Sequence, residues 1–254
     1  MKRFDPSIII GLLRLAGGGL ALAQAFGYLH NASSYFWGGA FLLGGLAFLS
    51  LLIGGNWWAA FPGFTLSALG VLVLLPDSLD ELGGAIFLGG IALSFWYVYA
   101  TDRVNRWWAI IPGGVLTALA LLILGSTYFD EYSGAIVLGG IGLTFFIVYL
   151  TNPADRWWAL IPGGVLATLA GVTVAAERFG EFQTAGFFFL GLAATFLLVA
   201  LLARMSWAYW PALALGIMGA FGLASLMNLV NYVWAIALIA IGGFMIFRVF
   251  TNRA

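Results

Sequence analysis

Cysteine is absent from this 254-residue chain, and histidine occurs once, at His30. Without thiols there is no disulfide framework, no thiolate nucleophile and no Cys-bearing metal cage, and a lone imidazole does not make a zinc site. Charge is nearly as scarce, at 8% of residues, with ten basic and ten acidic side chains and a formal net charge of zero. No basic face is left to neutralise phosphates, which excludes nucleic acid as a partner. The alternating apolar and polar residues of a membrane barrel strand appear nowhere in the sequence. The Gly-Gly pairs follow no strand and precede no Lys-Ser or Lys-Thr, so they do not form a phosphate loop. We therefore expect no catalytic residue, no cofactor, no metal site and no enzymatic activity.

What is present is apolar. Hydrophobic residues make up 63% of the chain, aromatics 17%, and there are 35 glycines, a balance well outside that of soluble domains. The apolar residues fall into stretches of about 17 to 22, each long enough for a helix to cross a hydrocarbon layer of about 30 Å at about 1.5 Å per residue. The expected spans are 8–29, 36–53, 58–75, 84–100, 107–124, 134–150, 158–175, 185–203, 208–227 and 232–250. The first of these imitates a secretory leader, with Lys2 and Arg3 before an apolar run and Ala23-Gln24-Ala25 after it. Arg14 interrupts the apolar core that a leader requires, so the segment reads as a membrane span. The fold class is all-α transmembrane, with residues 1–254 forming one integral membrane domain.

Comparison of the sequence with itself shows a block returning every fifty residues. Trp57-Trp58-Ala59-Ala60-Phe61-Pro62-Gly63 recurs as Trp107-Trp108-Ala109-Ile110-Ile111-Pro112-Gly113 and again as Trp157-Trp158-Ala159-Leu160-Ile161-Pro162-Gly163. A decayed fourth copy is expected to start at Trp207. Gly84-Ala85-Ile86-Phe87-Leu88-Gly89-Gly90 likewise returns as Gly134-Ala135-Ile136-Val137-Leu138-Gly139-Gly140, with an earlier relative at 39–45. Each unit holds two spans, giving about ten transmembrane helices in five tandem hairpins of parallel orientation, at about 1–56, 57–106, 107–156, 157–206 and 207–254. Connections are short, so neighbouring helices must run antiparallel and no soluble domain fits between them.

Basic residues gather at one set of turns: Lys2, Arg3, Arg103, Arg106, Arg156, Arg204 and Arg253. The other set carries Asp77, Asp80, Glu81, Asp130, Glu131, Glu177 and Glu181, with Arg178 as its one basic member. Lys and Arg are retained on the cytoplasmic side. The expected location is the plasma membrane, a bacterial inner membrane, with both termini cytoplasmic.

Within each unit the Trp-Trp pair sits where an interfacial anchor belongs, since the indole is apolar but its N–H needs a polar partner. An aromatic cage for a cation would instead need rings from several units to converge. Proline then falls in the first turns of a helix, where its missing N–H costs little, and the glycines after it could serve a bend or a gate. Small residues four apart, Ala40 and Gly44, Ala85 and Gly89, Ala135 and Gly139, read as the helix-packing seam. Arg14 and Arg248 are close enough to the basic side to snorkel. Gln24, Ser50, Ser94, Thr117, Thr144, Thr168, Thr173 and Thr195 are the polar groups at depth, and their hydroxyls are expected to bond back to their own backbone.

The acidic turns could draw a divalent cation if they clustered, although solvated carboxylates are the simpler reading. The aromatics among them, Tyr128, Phe129, Tyr132, Phe179 and Phe182, suit anchoring or contact with a partner protein. His30 lies in the first outer turn, too shallow to ligate a mid-membrane pigment, and Asn31-Ala32-Ser33 is a formal glycosylation triplet.

The Trp-Trp-Ala-x-Ile-Pro-Gly-Gly blocks at 107–114 and 157–164 resemble those of uncharacterised bacterial multi-pass membrane proteins, across about residues 57–203. The resemblance implies a multi-pass bundle and transfers no activity and no site residue. The expected role is a non-enzymatic scaffold or accessory subunit whose partners are the lipid bilayer, other membrane proteins or a second copy. The alternative is a transporter or channel for a small neutral or lipidic solute.

Overall fold

The computed structural model describes residues 6–27, 32–176, 181–223 and 236–242. Lys2, Arg3, His30, Asn31, Glu177, Arg178, Phe179, Arg248 and Arg253 lie outside the described residues, as does most of the expected span 232–250.

Among the described residues every regular element is helical. The α-helices are α1 (Pro6–Ala25), α2 (Ala32–Ile53), α3 (Ala60–Leu74), α4 (Gly83–Thr101), α5 (Ile110–Phe129), α6 (Ser133–Thr151), α7 (Leu160–Ala176), α8 (Glu181–Leu202) and α9 (Tyr209–Leu223), followed by a helical stretch at 236–242. Among the described residues seven helical segments are long and apolar enough to cross a membrane: Ser33–Ile53, Trp57–Leu74, Asp77–Thr101, Trp107–Gly125, Ser133–Thr151, Trp157–Ala176 and Thr184–Leu202. This is an all-helical membrane protein. The sequence suggested ten spans. The expected spans 208–227 and 232–250 lie partly outside the described residues, and α9 is described as far as Leu223.

The Trp-Trp-Ala blocks fold alike. Each forms a single 3-10 turn, Trp57–Ala59, Trp107–Ala109 and Trp157–Ala159, that leads directly into α3, α5 and α7. The N–H that follows each turn is shared between the carbonyls of both tryptophans, as is common where a tight turn opens into an α-helix. The alanine is wholly buried in each, because a tight turn brings its Cβ against the neighbouring helix. Proline is then the third residue of the α-helix, where no intrahelical partner is required of it. Ser206–Ala208 makes the same turn ahead of α9. Trp207 therefore stands in the place of the second tryptophan, and the fourth copy starts one residue earlier than the sequence suggested.

The chain divides into two compact units, 1–151 and 152–254. In the first, α1 to α6 pack each against the next in sequence, and among the described residues no two non-consecutive α-helices make more than a marginal approach. The helices form a single-file row. Their register is antiparallel: on the α2/α3 seam Gly38 faces Leu74, Gly45 faces Ser67, and Gly63 faces Leu49, so one chain climbs as the other descends. In a row each helix keeps two faces open, which explains why mid-helix leucines such as Leu46, Leu93, Leu121 and Leu143 are more than half exposed. Such faces suit an apolar surrounding, whether lipid or other membrane-embedded protein.

With no large core to bury, the seams close by backbone proximity through small side chains. Gly90 of α4 abuts Ala68 of α3, and Gly140 of α6 abuts Ala118 of α5. In the second unit, Gly191 of α8 abuts Thr168 of α7, and Gly219 of α9 meets Leu190 of α8. A serine or threonine buried one turn beyond the first three glycines, Ser94, Thr144 and Thr195, is followed by a fully buried valine, Val98, Val148 and Val199.

Here the structure corrects the expected seam. In Gly44-Gly45, Gly89-Gly90 and Gly139-Gly140 the second glycine makes the close approach, while a Cβ added to Gly89 would meet nothing within 4 Å and one added to Gly44 would make only an ordinary contact with Leu66. Ala85 is buried as expected. At about 100° per residue, adjacent glycines point to different neighbours, so only one of the two can lie on a given seam. The Pro-Gly-Gly glycines behave the same way: Gly113 packs on Phe95 and Trp96 of α4, and Gly114 on Thr144 of α6. They hold α5 between its two neighbours.

Candidate functional site

The polar groups at depth are occupied locally. Ser94 donates to the carbonyl of Ile91 at 2.6 Å, Thr144 to Gly140 at 3.0 Å, Thr168 to Gly164 at 2.8 Å, and Thr195 to Gly191 at 2.9 Å. Ser50 and Thr173 do the same on exposed faces. This is the back-bonding the sequence suggested. Thr117 also donates to its own helix, at the carbonyl of Gly113, but it has a second partner. The Nε1–H of Trp96 on α4 donates to the Thr117 hydroxyl on α5 at 3.0 Å.

That bond sits at a groove of about 580 Å³ whose floor is α4 and whose walls are α3 and α5. Gly89 and Gly90 keep the floor low, Phe64 and Val71 line one wall, Leu121 and Thr117 the other, with Trp96 beside them. The spacing that produces it is local: a wall helix packs on each flank of α4, and two glycines leave the strip between them without side chains. Ser67 also lines the groove. Its hydroxyl oxygen is buried without a partner and lies against Gly45 of α2. The groove thus presents hydrocarbon and aromatic surface to its occupant.

The basic-side turns are built from short polar loops. After α4, the Asp102 carboxylate accepts from the backbone N–H of Asn105 at 3.1 Å and from its side-chain amide at 2.9 Å. These bonds, chiefly that to the Asn105 side chain, hold the Asp102 carboxyl below the ordinary carboxylate value. After α6 the two residue types exchange places: Asn152 donates to the Asp155 carboxylate at 2.7 Å. Arg106 donates to the Thr101 hydroxyl at 2.7 Å and lays its guanidinium over Trp57, 4.6 Å from the ring centre. The face of that tryptophan therefore holds a cation supplied by the same chain. The second tryptophan of a block packs edge-on against a phenylalanine of the preceding helix, as in Phe48 with Trp58, Phe95 with Trp108 and Phe196 with Trp207. Trp58, Trp108, Trp158 and Trp207 remain partly exposed, as anchors at an interface should.

On the acidic side, Asp77 and Asp80 share a recess of about 390 Å³ with Ser34, Tyr35 and the end of α3. Among the described residues no three acidic or histidine side chains come together in a way that could hold a metal ion.

Comparison of this chain with family models, with curated proteins and with solved structures gave no match.

Sequence reasoning missed Trp96 and the groove. Thr117 was noted only as a back-bonding hydroxyl. One signal was available: fifty residues beyond Trp96 stands Phe146, and fifty beyond Thr117 stands Ala167. The Trp and Thr pair is a departure from the repeat, and departures carry information that the repeat does not.

Proposed function

We propose that this protein is a non-enzymatic multi-pass membrane scaffold or accessory subunit, built by duplication of a fifty-residue hairpin unit. In this reading there are ten spans in five like-oriented hairpins, in a bacterial inner membrane with both termini cytoplasmic. We also place it with the uncharacterised bacterial proteins whose hairpins open on a Trp-Trp-Ala-x-Ile-Pro-Gly-Gly block. One observation carries the functional reading: in the first unit, helix contact runs along the sequence and each inner helix keeps two faces open. A row of this kind offers a long lateral surface to other membrane proteins or to a second copy, and Ser94, Thr117 and Thr144 spend their hydroxyl protons on their own helices rather than on a polar path.

The test is purification of the full chain in mild detergent alongside a deletion strain. Reproducible recovery of another membrane protein, and loss of that protein's assembly on deletion, is the expected result. Recovery of a lone monomer together with an unaffected membrane proteome overturns the proposal.

The groove between α3, α4 and α5 favours a second reading, a carrier of lipidic solutes. Transfer of a fluorescent lipid between vesicles, faster with the reconstituted protein than without it, would select this reading over the scaffold.

A further inference from the structure

We infer that the groove on α4 is a seat for one acyl chain of a membrane lipid, entered sideways from the bilayer. The inference goes beyond the scaffold reading and holds whether or not a partner protein is found.

Three observations converge. The first is depth. The groove runs along 64–71 of α3, 86–96 of α4 and 117–121 of α5, all inside segments that are long and apolar enough to cross a membrane. The solvent at that level is hydrocarbon, so whatever enters arrives from the bilayer. The second is chemical complementarity. The indole N–H is committed to Thr117, whose own proton is committed to Gly113, and the unpartnered Ser67 hydroxyl is shut away against Gly45 of α2. A polar solute would find no exposed, uncommitted donor among these side chains and would lose its hydration uncompensated. An alkyl chain loses nothing. The third is size. A volume of about 580 Å³ lies within the range of about 300 to 1,000 Å³ typical of preformed small-molecule sites.

The departure from the repeat supports the assignment. Elsewhere a seam closes on a small residue, but here Trp96 reaches across to α5 and its hydrogen bond fixes the ring beside the groove. That bond preorganises the wall rather than contacting a polar ligand.

The experiment uses the full chain in phosphatidylcholine vesicles containing a small fraction of phosphatidylcholine with a diazirine at mid-chain. After photolysis, adducts are mapped by peptide mass spectrometry. We expect labelling concentrated in 64–71, 86–96 and 117–121, above that at the exposed leucines Leu46 and Leu143. Gly89→Leu should lower groove labelling by about ten-fold, as expected when a side chain fills a preformed apolar site, and leave labelling of α8 unchanged. Gly89 has open space around its added Cβ, so this variant should fold; if circular dichroism shows that it does not, Leu93→Trp fills the same groove from its rim.

Labelling spread evenly over all lipid-facing leucines overturns the inference, as does groove labelling unaffected by a folded filling variant. So does loss of a dimer on filling the groove, since a second copy of the chain would then be its occupant.

Discussion

Helix α5 packs against α6 on one side and α4 on the other, and the two seams are made differently. Towards α6, Gly114 meets Thr144 and Ala118 meets Gly140, with each hydroxyl bonded to its own helix. Towards α4, Gly113 meets Phe95 and the ring of Trp96, and the indole N–H crosses to Thr117. The first seam is held by proximity of small groups and leaves no room. The second is held by an aromatic strut and a cross-helix hydrogen bond, and leaves a groove. One helix can thus be a tight partner and a spacer at once, because at about 100° per residue adjacent positions such as Gly113 and Gly114 serve opposite neighbours.

That contrast is open to direct attack. The largest effect should come from crowding the tight seam. A Cβ on Gly140 would lie 2.8 Å from the Cβ of Ala118, and neither can swing away, so Gly140→Val should destabilise by about 1–3 kcal/mol. Thermal unfolding in detergent, or steric trapping in bicelles, would read the loss. Stability equal to the parent would mean that the seam is looser than described.

Next comes the strut. Trp96→Phe keeps most of the ring and removes only the donor, and should cost about 0.5–1.5 kcal/mol. Thr117→Val should cost a similar amount, and the double variant should cost less than the two separately, because both delete one bond. Strict additivity in that cycle would show that Trp96 and Thr117 do not act on each other.

A smaller effect of the opposite sign is expected beside it. Gly89→Ala meets open space and replaces a poor helix former by a good one, so stability should hold or rise by about 0.5–1 kcal/mol. Set against Gly90→Ala, which would press on Ala68, this pair of adjacent substitutions separates groove from seam within a single helical step.

The smallest effect concerns the turns. The double exchange Asp102→Asn with Asn105→Asp rebuilds after α4 the arrangement seen at Asn152 and Asp155, and should change stability by less than about 0.5 kcal/mol. Asp102 alone gives a pH signature. Its folded carboxyl lies below the ordinary value of 3.8, so the turn's contribution is complete above that pH and is lost as pH falls through the lower folded value. The asparagine-bonded signals of Asp102 in an acid titration by NMR would follow it.

Much of this was legible in the sequence, for physical reasons that can be named. A run such as Gly134 to Leu150 has no alternative to a membrane helix, because its length and apolarity match the bilayer. Short connections forced antiparallel neighbours, and Thr144, Thr168 and Thr195 had nowhere to send their hydrogens but one turn back. Interfacial tryptophans announced themselves by their place beside the arginines. Other features depend on register between helices, which local pattern does not encode. Gly89 and Gly90 look interchangeable in one dimension, and only the packing of α3 decides that Gly90 is the contact. The shared N–H after each Trp-Trp pair, and the offset that makes Trp207 a second tryptophan, arise from backbone geometry. The partnership of Trp96 with Thr117 is not legible in one dimension, because it depends on the register of α4 against α5.

We propose that these hairpins cross a membrane with their arginine-bearing turns on its cytoplasmic side. The absence of cysteine allows a clean test. Single cysteines placed at Ser78 and Glu131 on one set of turns, and at Asn105 and Pro153 on the other, can be reacted in intact cells with a membrane-impermeant maleimide. The account predicts labelling at 78 and 131 from outside, and at 105 and 153 only after the membrane is opened. Labelling of one site from each set in intact cells would contradict it.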